Sequence, residues 1–320
     1  MSFSILSTGR ALPKKAFTND DLAAFVDTND EWIRTRTGIE QRYYCDEETL
    51  TDLATEAGQK ALDKANLTAD QLDLIICATL SADYISPSMA CIVQKRLGAK
   101  CPAFDVNAAC SGFIYSLDIA DGFFMRNKAK HILVIAAEAI SRYLTAEDRS
   151  TCVLFGDGAG AVVLGEGDDL LATTLVAKGD ETVLNVPGLA SELPVLHQKN
   201  EPSHVYMNGQ EVFKFAVNAM CRELKKTIAK AGLTTDDIDW VLPQKANMRI
   251  IDFAKSKLGI PEEKYCINID HVGNTSAACI PILLDEMNEQ GRFKKGDILA
   301  MCAFGAGLTS GSAVIRWNCD

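Results

Sequence analysis

Two hydrophobic periods alternate along this chain. Residues 3–9 read as a first strand, DLIICATL (73–80) ends in a continuous apolar strand, and HILVIAAEAI (131–140) is another buried one. Between them the apolar positions recur at helical spacing: over 50–65, over 87–97, and in FIYSLDIADGFF (113–124). Residues 211–231 form the most amphipathic stretch, with Val212, Phe213, Phe215, Ala216, Val217, Met220, Leu224 and Ile228 apolar. Helices alternating with apolar strands predict an α/β fold whose largely parallel sheet is covered on both faces.

The pattern also repeats. KALDKANLTADQLDLII (60–76) aligns without a gap on KTIAKAGLTTDDIDWVL (226–242), and FGDGAGAVVL (155–164) is echoed by FGAGLTSGSAVI (304–315). A repeat this long, present twice, is an internal duplication. Carried forward in register, Cys110 falls on Ser276. From Leu184 to Gly209 the texture turns polar, and Pro187, Pro194 and Pro202 interrupt it. The expected division is therefore a first half over 1–170, a linker or flap over 171–210, and a second half over 211–320. Two similar halves packed together bring equivalent turns face to face, so the turns near Cys110, Gln244 and Asn274 should converge on a pocket.

Composition narrows the class. The 320 residues suffice for a large core, and the apolar and charged fractions are those of an ordinary soluble enzyme. No apolar run is long enough to span a bilayer, and the N-terminus lacks the features of a signal peptide. The eleven cysteines are scattered, several of them (Cys77, Cys91, Cys279, Cys302) inside apolar runs, and none forms a CxxC pair. Neither a disulfide framework nor a metal site is expected, and the chain reads as a reducing, cytoplasmic one. The net charge of −11 argues against nucleic-acid binding. An acidic partner would need a local basic patch, for which Lys214, Arg249, Lys255 and Lys257 are candidates. The glycine-rich FGDGAGAVVLGEG precedes a strand and carries no Lys-Ser/Thr, so it fits neither phosphate-binding fingerprint.

The chemistry concentrates at CPAFDVNAACSGF (101–113). Cys110 is placed where a strand turns into a helix, where unpaired N–H groups and the helix dipole favour the thiolate. Trp32, followed by Arg34 and Arg36, offers an aromatic face flanked by guanidinium groups, suited to a nucleotide or a subunit contact. His131 reads as a strand-edge residue, and His197 and His204 as solvated loop residues.

Six motifs in order, DEWIRTRTGI, PAFDVNAACSGF, DRSTCVLFGDGAGAVVL, KANMRII, GNTSAA and AFGAGLTSGSAVIRW, cover essentially the whole chain. Together they resemble the β-ketoacyl-acyl-carrier-protein synthase III family, the initiating condensing enzymes of fatty acid synthesis with a thiolase-like fold. The resemblance implies a homodimer of duplicated α/β halves in a five-layer α-β-α-β-α arrangement. It implies no permanently bound cofactor, coenzyme A thioester as substrate, and malonyl-acyl carrier protein as partner. An acyl group would pass from coenzyme A to Cys110; decarboxylation of the malonyl group would then give an enolate that attacks the acyl-cysteine. Carried over by position, Thr28, Trp32, Arg36 and Arg149 would hold the coenzyme's nucleotide end. Met207, Gly209, Phe213, Ala246 and Asn247 would line the pantetheine channel, Lys214 and Arg249 would dock the carrier protein, and the backbone N–H groups of Cys110 and Ala306 would form an oxyanion hole.

One departure matters. The family's Cys-His-Asn set is met by Cys110 and Asn274, but Gln244 stands where the histidine belongs, and Lys245 follows where a glutamine is usual. His271 lies close to Asn274 in sequence but should point elsewhere on its strand. Glutamine keeps an N–H donor yet moves no proton, so acylation should survive better than condensation. Three origins fit Gln244: an engineered change, natural divergence, or an acyltransferase that never decarboxylates and serves another nucleophile. A non-catalytic partner subunit is the remaining class, which a retained thiol at a helix start argues against. Ser86 and Ser88 in SADYISPSMAC hint at room for a primer larger than acetyl, or simply cap a helix.

Overall fold

The computed structural model describes residues 2–188 and 203–319. The predicted residues His197, Pro194 and Pro202 lie outside them. The first half runs β1 (Ser2–Ala11), β2 (Ala16–Thr18), α1 (Asn19–Ala23), α2 (Asp30–Thr37), β3 (Gln41–Tyr43), α3 (Leu50–Lys64) and β4 (Leu74–Ala78). It continues with α4 (Met89–Leu97), β5 (Ala103–Val106), α5 (Gly112–Met125), β6 (His131–Glu138), α6 (Arg149–Cys152) and β7 (Gly158–Gly167). The second half holds β8 (Leu170–Ala177), β9 (Leu184–Asn185), β10 (Tyr206–Met207), α7 (Gly209–Asn218), α8 (Leu224–Lys230) and β11 (Trp240–Pro243). After it come α9 (Met248–Leu258), α10 (Ile269–Val272), α11 (Cys279–Glu289), β12 (Ile298–Gly305) and β13 (Thr309–Arg316). The amphipathic stretch expected over 211–231 is α7 and α8, joined by a π-helical turn at Ala219–Glu223.

Two sheets share one topology. The first has the order β1-β7-β6-β4-β5 and the second β8-β13-β12-β11, so four strands of each answer one another as the duplication requires, and β5 has no counterpart strand among the described residues. The sheets are mixed where a largely parallel one was expected. β4 is parallel to β5 and β6, and β11 to β12, but the remaining pairs of both sheets are antiparallel. The connection from β12 to β13 is only Ala306, Gly307 and Leu308, too short for the crossover that a parallel return needs. β8, placed at the head of the expected linker, instead forms the edge of the second sheet, paired with β13 from Thr309↔Ala177 onward.

Helices α5 and α11 lie between the sheets: α5 touches β1, β4 and β6 on one side and β12 and β13 on the other, and α11 touches β1, β7 and β11. Helices α3 and α4 cover the first sheet's outer face, and α7 and α8 with α9 cover the second's. The five layers expected from the resemblance are therefore present. The inner helices are apolar nearly all round, as burial on both faces demands. The buried exception on α11, Asp285, accepts from Thr8 Oγ1 (2.7 Å) and pairs with Arg10 (2.6 Å) and Lys64 (2.7 Å).

Backbone contact between layers depends on missing side chains. A Cβ added at Gly160 of β7 would stand 2.6 Å from Ile282 N and 2.7 Å from Pro281 C, both backbone atoms of α11. Neither can move without shifting the central helix. Gly160→Ala should destabilise the fold by about 3 kcal/mol, the upper end of overpacking costs, read as a lower guanidinium midpoint.

Candidate active site

Each inner helix starts from the same turn. Asn107 Oδ1 accepts from Ala109 N (3.2 Å), Ala109 sits at φ +47°, and Ala109–Ser111 form a 3-10 turn leading into α5. In the second half Asn274 Oδ1 accepts from Ser276 N (3.0 Å), Ser276 sits at φ +52°, and Ser276–Ala278 lead into α11. The pairing is thus Asn107 with Asn274 and Ala109 with Ser276. Cys110 therefore corresponds to Ala277, one residue beyond the register that the 60–76 repeat projects. The insertion falls between the aligned strands and the turns, where gap-free extrapolation could not detect it.

Small residues let the two turns meet. A Cβ on Gly305 would lie 2.7 Å from Cys110 N and 3.1 Å from Cys110 Cβ, and one on Gly112 would lie 3.0 Å from Ala78 Cβ and 3.5 Å from Ala277 Cβ. Two cavities adjoin at Cys110. The first, about 390 Å³, is lined by Met207, Gly209, Phe213, Ala246, Asn247 and Arg249, together with Cys110 and Asn274. The second, about 450 Å³, is lined largely by apolar side chains, among them Leu80, Ile85, Ile140, Tyr143 and Val205, with Ala306 and Ser276 beside Cys110. The sizes are those of small-molecule sites. Ser86 is exposed and Ser88 caps α4 by accepting from Cys91 N (3.3 Å), so neither contributes to the second cavity.

The electrostatics differ from the expectation for Cys110. Burial pushes its thiol up to about 12, against a hydrogen bond with Ser276 that acts the other way. Desolvation of a thiolate outweighs the start of α5, so the resting sulfur is protonated. Gln244, 1 % exposed, donates from Nε2 to Asn274 Oδ1 (2.9 Å) and does not line either cavity. Asn274 Oδ1 also accepts from Ser276 N, a backbone donor that identifies this atom as the oxygen, and from Cys279 Sγ (3.4 Å). The amide nitrogen of Asn274 is the end left for a ligand. Lys245 is fully buried, with no hydrogen-bond partner for Nζ among the described residues. Burial lowers its pKa, against the carboxylates of Glu286 and Asp270.

Several predicted residues gather elsewhere. Trp32 is met by two cations of its own chain, with Arg36 Cζ 4.7 Å and Arg149 Cζ 4.5 Å from the ring centre. It packs in the same apolar cluster as Met207 and Leu184, which line the first cavity, but neither it nor Thr28, Arg36 or Arg149 is in the wall. Two of the four residues of the basic patch are ion-paired, Lys214 with Glu211 (2.7 Å) and Lys255 with Glu262 (2.8 Å) and Asp252 (3.5 Å), while Lys257 lies over the Phe253 ring at 5.6 Å. Arg249 remains exposed at the rim of the first cavity. His131 opens β6 and His204 is exposed, as expected. His271 lies on the short helix α10, not on a strand, and is held by Asp270 (3.1 Å) and Glu286 (3.0 Å) outside both cavities. All eleven cysteines are free thiols, and Cys91, read from its apolar neighbours as interior, is exposed. Among the described residues no His, Cys, Asp and Glu cluster is placed to hold a metal ion, and no helix is long and apolar enough to cross a membrane.

Sequence reasoning passed over Glu138, a fully buried carboxyl at the end of β6 that accepts from Ser276 Oγ (3.1 Å) beside Cys110. A lone carboxylate inside the apolar run HILVIAAEAI was the available signal.

Residues 104–179 match the family model described as 3-oxoacyl-[acyl-carrier-protein] synthase III, and residues 228–317 match the model of its C-terminal part. The chain is 48% identical over 321 residues to beta-ketoacyl-[acyl-carrier-protein] synthase III of Aquifex aeolicus, covering 99% of this chain and 100% of that protein. It is 46% identical to the protein of the same name from Xanthomonas campestris, over 98% of each. The crystal structure of the Aquifex aeolicus VF5 enzyme superposes with a TM-score of 0.92 at 47% identity, covering 98% of this chain and 100% of that one.

His271 provides a test of the electrostatics. Its two carboxylate partners raise it from 6.5 to about 9, so the protonated ring stabilises the fold fully below pH 6.5 and loses that contribution as pH rises through 9. Chemical denaturation should show stability falling across that window, and His271→Gln should flatten the fall.

Proposed function

This chain belongs to the β-ketoacyl-[acyl-carrier-protein] synthase III family, and we propose that Cys110 is the sulfur on which its reaction turns. The fold is thiolase-like and the chain is an acyltransferase that takes an acyl group from coenzyme A and condenses it with the malonyl group on acyl carrier protein. The observation that carries the site assignment is the meeting of two cavities at Cys110. The first suits the pantetheine arm of coenzyme A or of the carrier protein, which would enter past Arg249, Asn247 and Gly209. The second suits the acyl chain, and its apolar lining and volume favour primers of several carbons over acetyl alone. Trp32, Arg36 and Arg149, with Thr28 nearby, would hold the nucleotide, the rings stacking where the guanidinium groups now lie.

In acylation the Cys110 sulfur attacks the thioester carbonyl, and the backbone N–H groups of Cys110 and Ala306 stabilise the developing oxyanion. Exchange of coenzyme A for malonyl-acyl carrier protein brings a second thioester into the first cavity. Arg249, with Lys214 once its pairing to Glu211 is released, offers that acidic partner a cationic contact. Loss of CO2 leaves an enolate whose oxygen the Asn274 amide nitrogen meets. Gln244 contributes mainly by holding Asn274 through Oδ1. One oxyanion donor fewer costs about 10²–10³ in rate, so condensation is the weakened step.

We also propose a homodimer in the cytoplasm. β5 is a sheet edge whose residues are all only half-buried, and Tyr84 and Ile85 are exposed at 60% and 91%. An open edge and bare apolar side chains together favour a second copy as cover. Leu184 and Met207, from the linker or flap expected over 171–210, line the first cavity and would close it over a bound thioester.

Intact-mass measurement after incubation with an acyl-CoA series tests the reading. Cys110 should gain one acyl group, and Cys110→Ala should gain none; absence of any adduct on the wild type would sink it. Added malonyl-acyl carrier protein should discharge the adduct slowly, and Gln244→His should speed that discharge by about 10²-fold while changing loading far less.

A further inference from the structure

Glu138 has no role in the reaction as described, yet it is joined to Cys110. Its carboxyl is 0% exposed at the end of β6. Oε2 accepts from Ser81 Oγ (2.5 Å) and Leu80 N (3.2 Å), and Ser81 Oγ in turn accepts from Ala139 N (2.8 Å), so that side is committed to structure. Oε1 accepts from Ser276 Oγ (3.1 Å). Ser276 and Cys110 line the second cavity together, the Ser276 hydroxyl near enough to the Cys110 thiol to favour its thiolate. Ser276 thus stands between the sulfur and a buried carboxylate that its hydroxyl already meets.

Other ionisable groups leave that carboxylate unneutralised. Those facing it are the Cys110 thiol and the Tyr143 phenol, while Arg142 is turned toward Asp83. Burial raises the Glu138 carboxyl to about 7, in spite of hydrogen bonds from Ser81, Leu80, Ser276 and Ala277. A group with that balance can take up and return a proton at neutral pH. The family's usual histidine is absent, and His271 lies outside the site.

We propose that Ser276 and Glu138 form a proton relay for Cys110, resting on the reading of that cysteine as the nucleophile. As the Cys110 Sγ–acyl bond forms, the thiol proton passes to Ser276 Oγ, and the Ser276 hydroxyl proton passes to Glu138 Oε1. The carbonyl–sulfur bond to coenzyme A breaks, and the departing thiolate takes a proton from water. When condensation breaks the Sγ–acyl bond, the Cys110 thiolate recovers its proton along the same path. One proton from solvent is consumed per turnover, as decarboxylation of a malonyl carboxylate requires. Glu138 and Ser276 are relay residues that act through the sulfur.

The test is the pH profile of Cys110 modification in the full chain, with acetyl-CoA in single turnover and with iodoacetamide. In the wild type both rates should level off above about pH 7, where Glu138 is ionised. Glu138→Gln and Ser276→Ala should react about 10²-fold more slowly at pH 8, and should climb about tenfold per pH unit without levelling. Ser276→Ala removes one side-chain bond only, so it serves if Glu138→Gln does not fold. A midpoint near pH 7 retained in either variant overturns the relay, whatever the rate. A wild type that reacts with iodoacetamide but never with acetyl-CoA overturns the nucleophile reading instead, and its iodoacetamide profiles still decide the relay.

Discussion

The structure depends on two helix starts being forced together. α5 and α11 are the only helices between the sheets among the described residues, and each begins at a turn whose first residue is held at positive φ. Gly305 approaches the Cys110 backbone so closely that any side chain there would collide with it. Gly112 does the same service toward Ala78 and Ala277. This close approach sets the spacing of the layers, and it also brings together sulfur, asparagine and the β12 backbone. The site is therefore a by-product of how the core is closed, which ties its geometry to the stability of the centre.

The duplication explains why that centre is asymmetric in chemistry while symmetric in shape. Asn107 and Asn274 bond equivalent backbone N–H groups, yet only Asn274 has neighbours that commit its oxygen three times over. Fixing the oxygen turns the amide nitrogen outward as a donor, which is how a side chain used for a turn becomes available for catalysis. On the other half the equivalent of Ala277 is Cys110. The same backbone thus presents a thiol from one copy and a side-chain amide from the other.

Much of this was legible in the sequence, because periodicity and small-residue turns are local. The strands at 74–78 and 131–138 and the helix at 50–64 follow from that, whereas the cavity residues from Met207 to Arg249 came from the resemblance of the motifs to a known family. What was not legible depends on burial or on distant partners. The acidity of the Cys110 thiol was argued from its helix alone, and desolvation, which no local pattern reports, outweighed it. Lys214 and Lys255 read as a basic patch because Glu211, Asp252 and Glu262 were not weighed against them. The antiparallel pairs in each sheet were missed because strand direction is set by connections, and apolar runs do not carry it.

Gln244 and Lys245, the two neighbours that depart from the family's pattern, are both buried, but only Gln244 bonds Asn274. Its Nε2 and the Cys279 thiol donate to the same Asn274 oxygen. Burying an ammonium group without a hydrogen-bond partner is costly, and the lowered pKa of Lys245 is the expected response. Cys110 and the two cavities that meet at it are left untouched by either side chain, since neither Gln244 nor Lys245 lines a wall. The two departures from the family's pattern therefore bear on the site through Asn274, whose oxygen Gln244 holds, and not through the thiol.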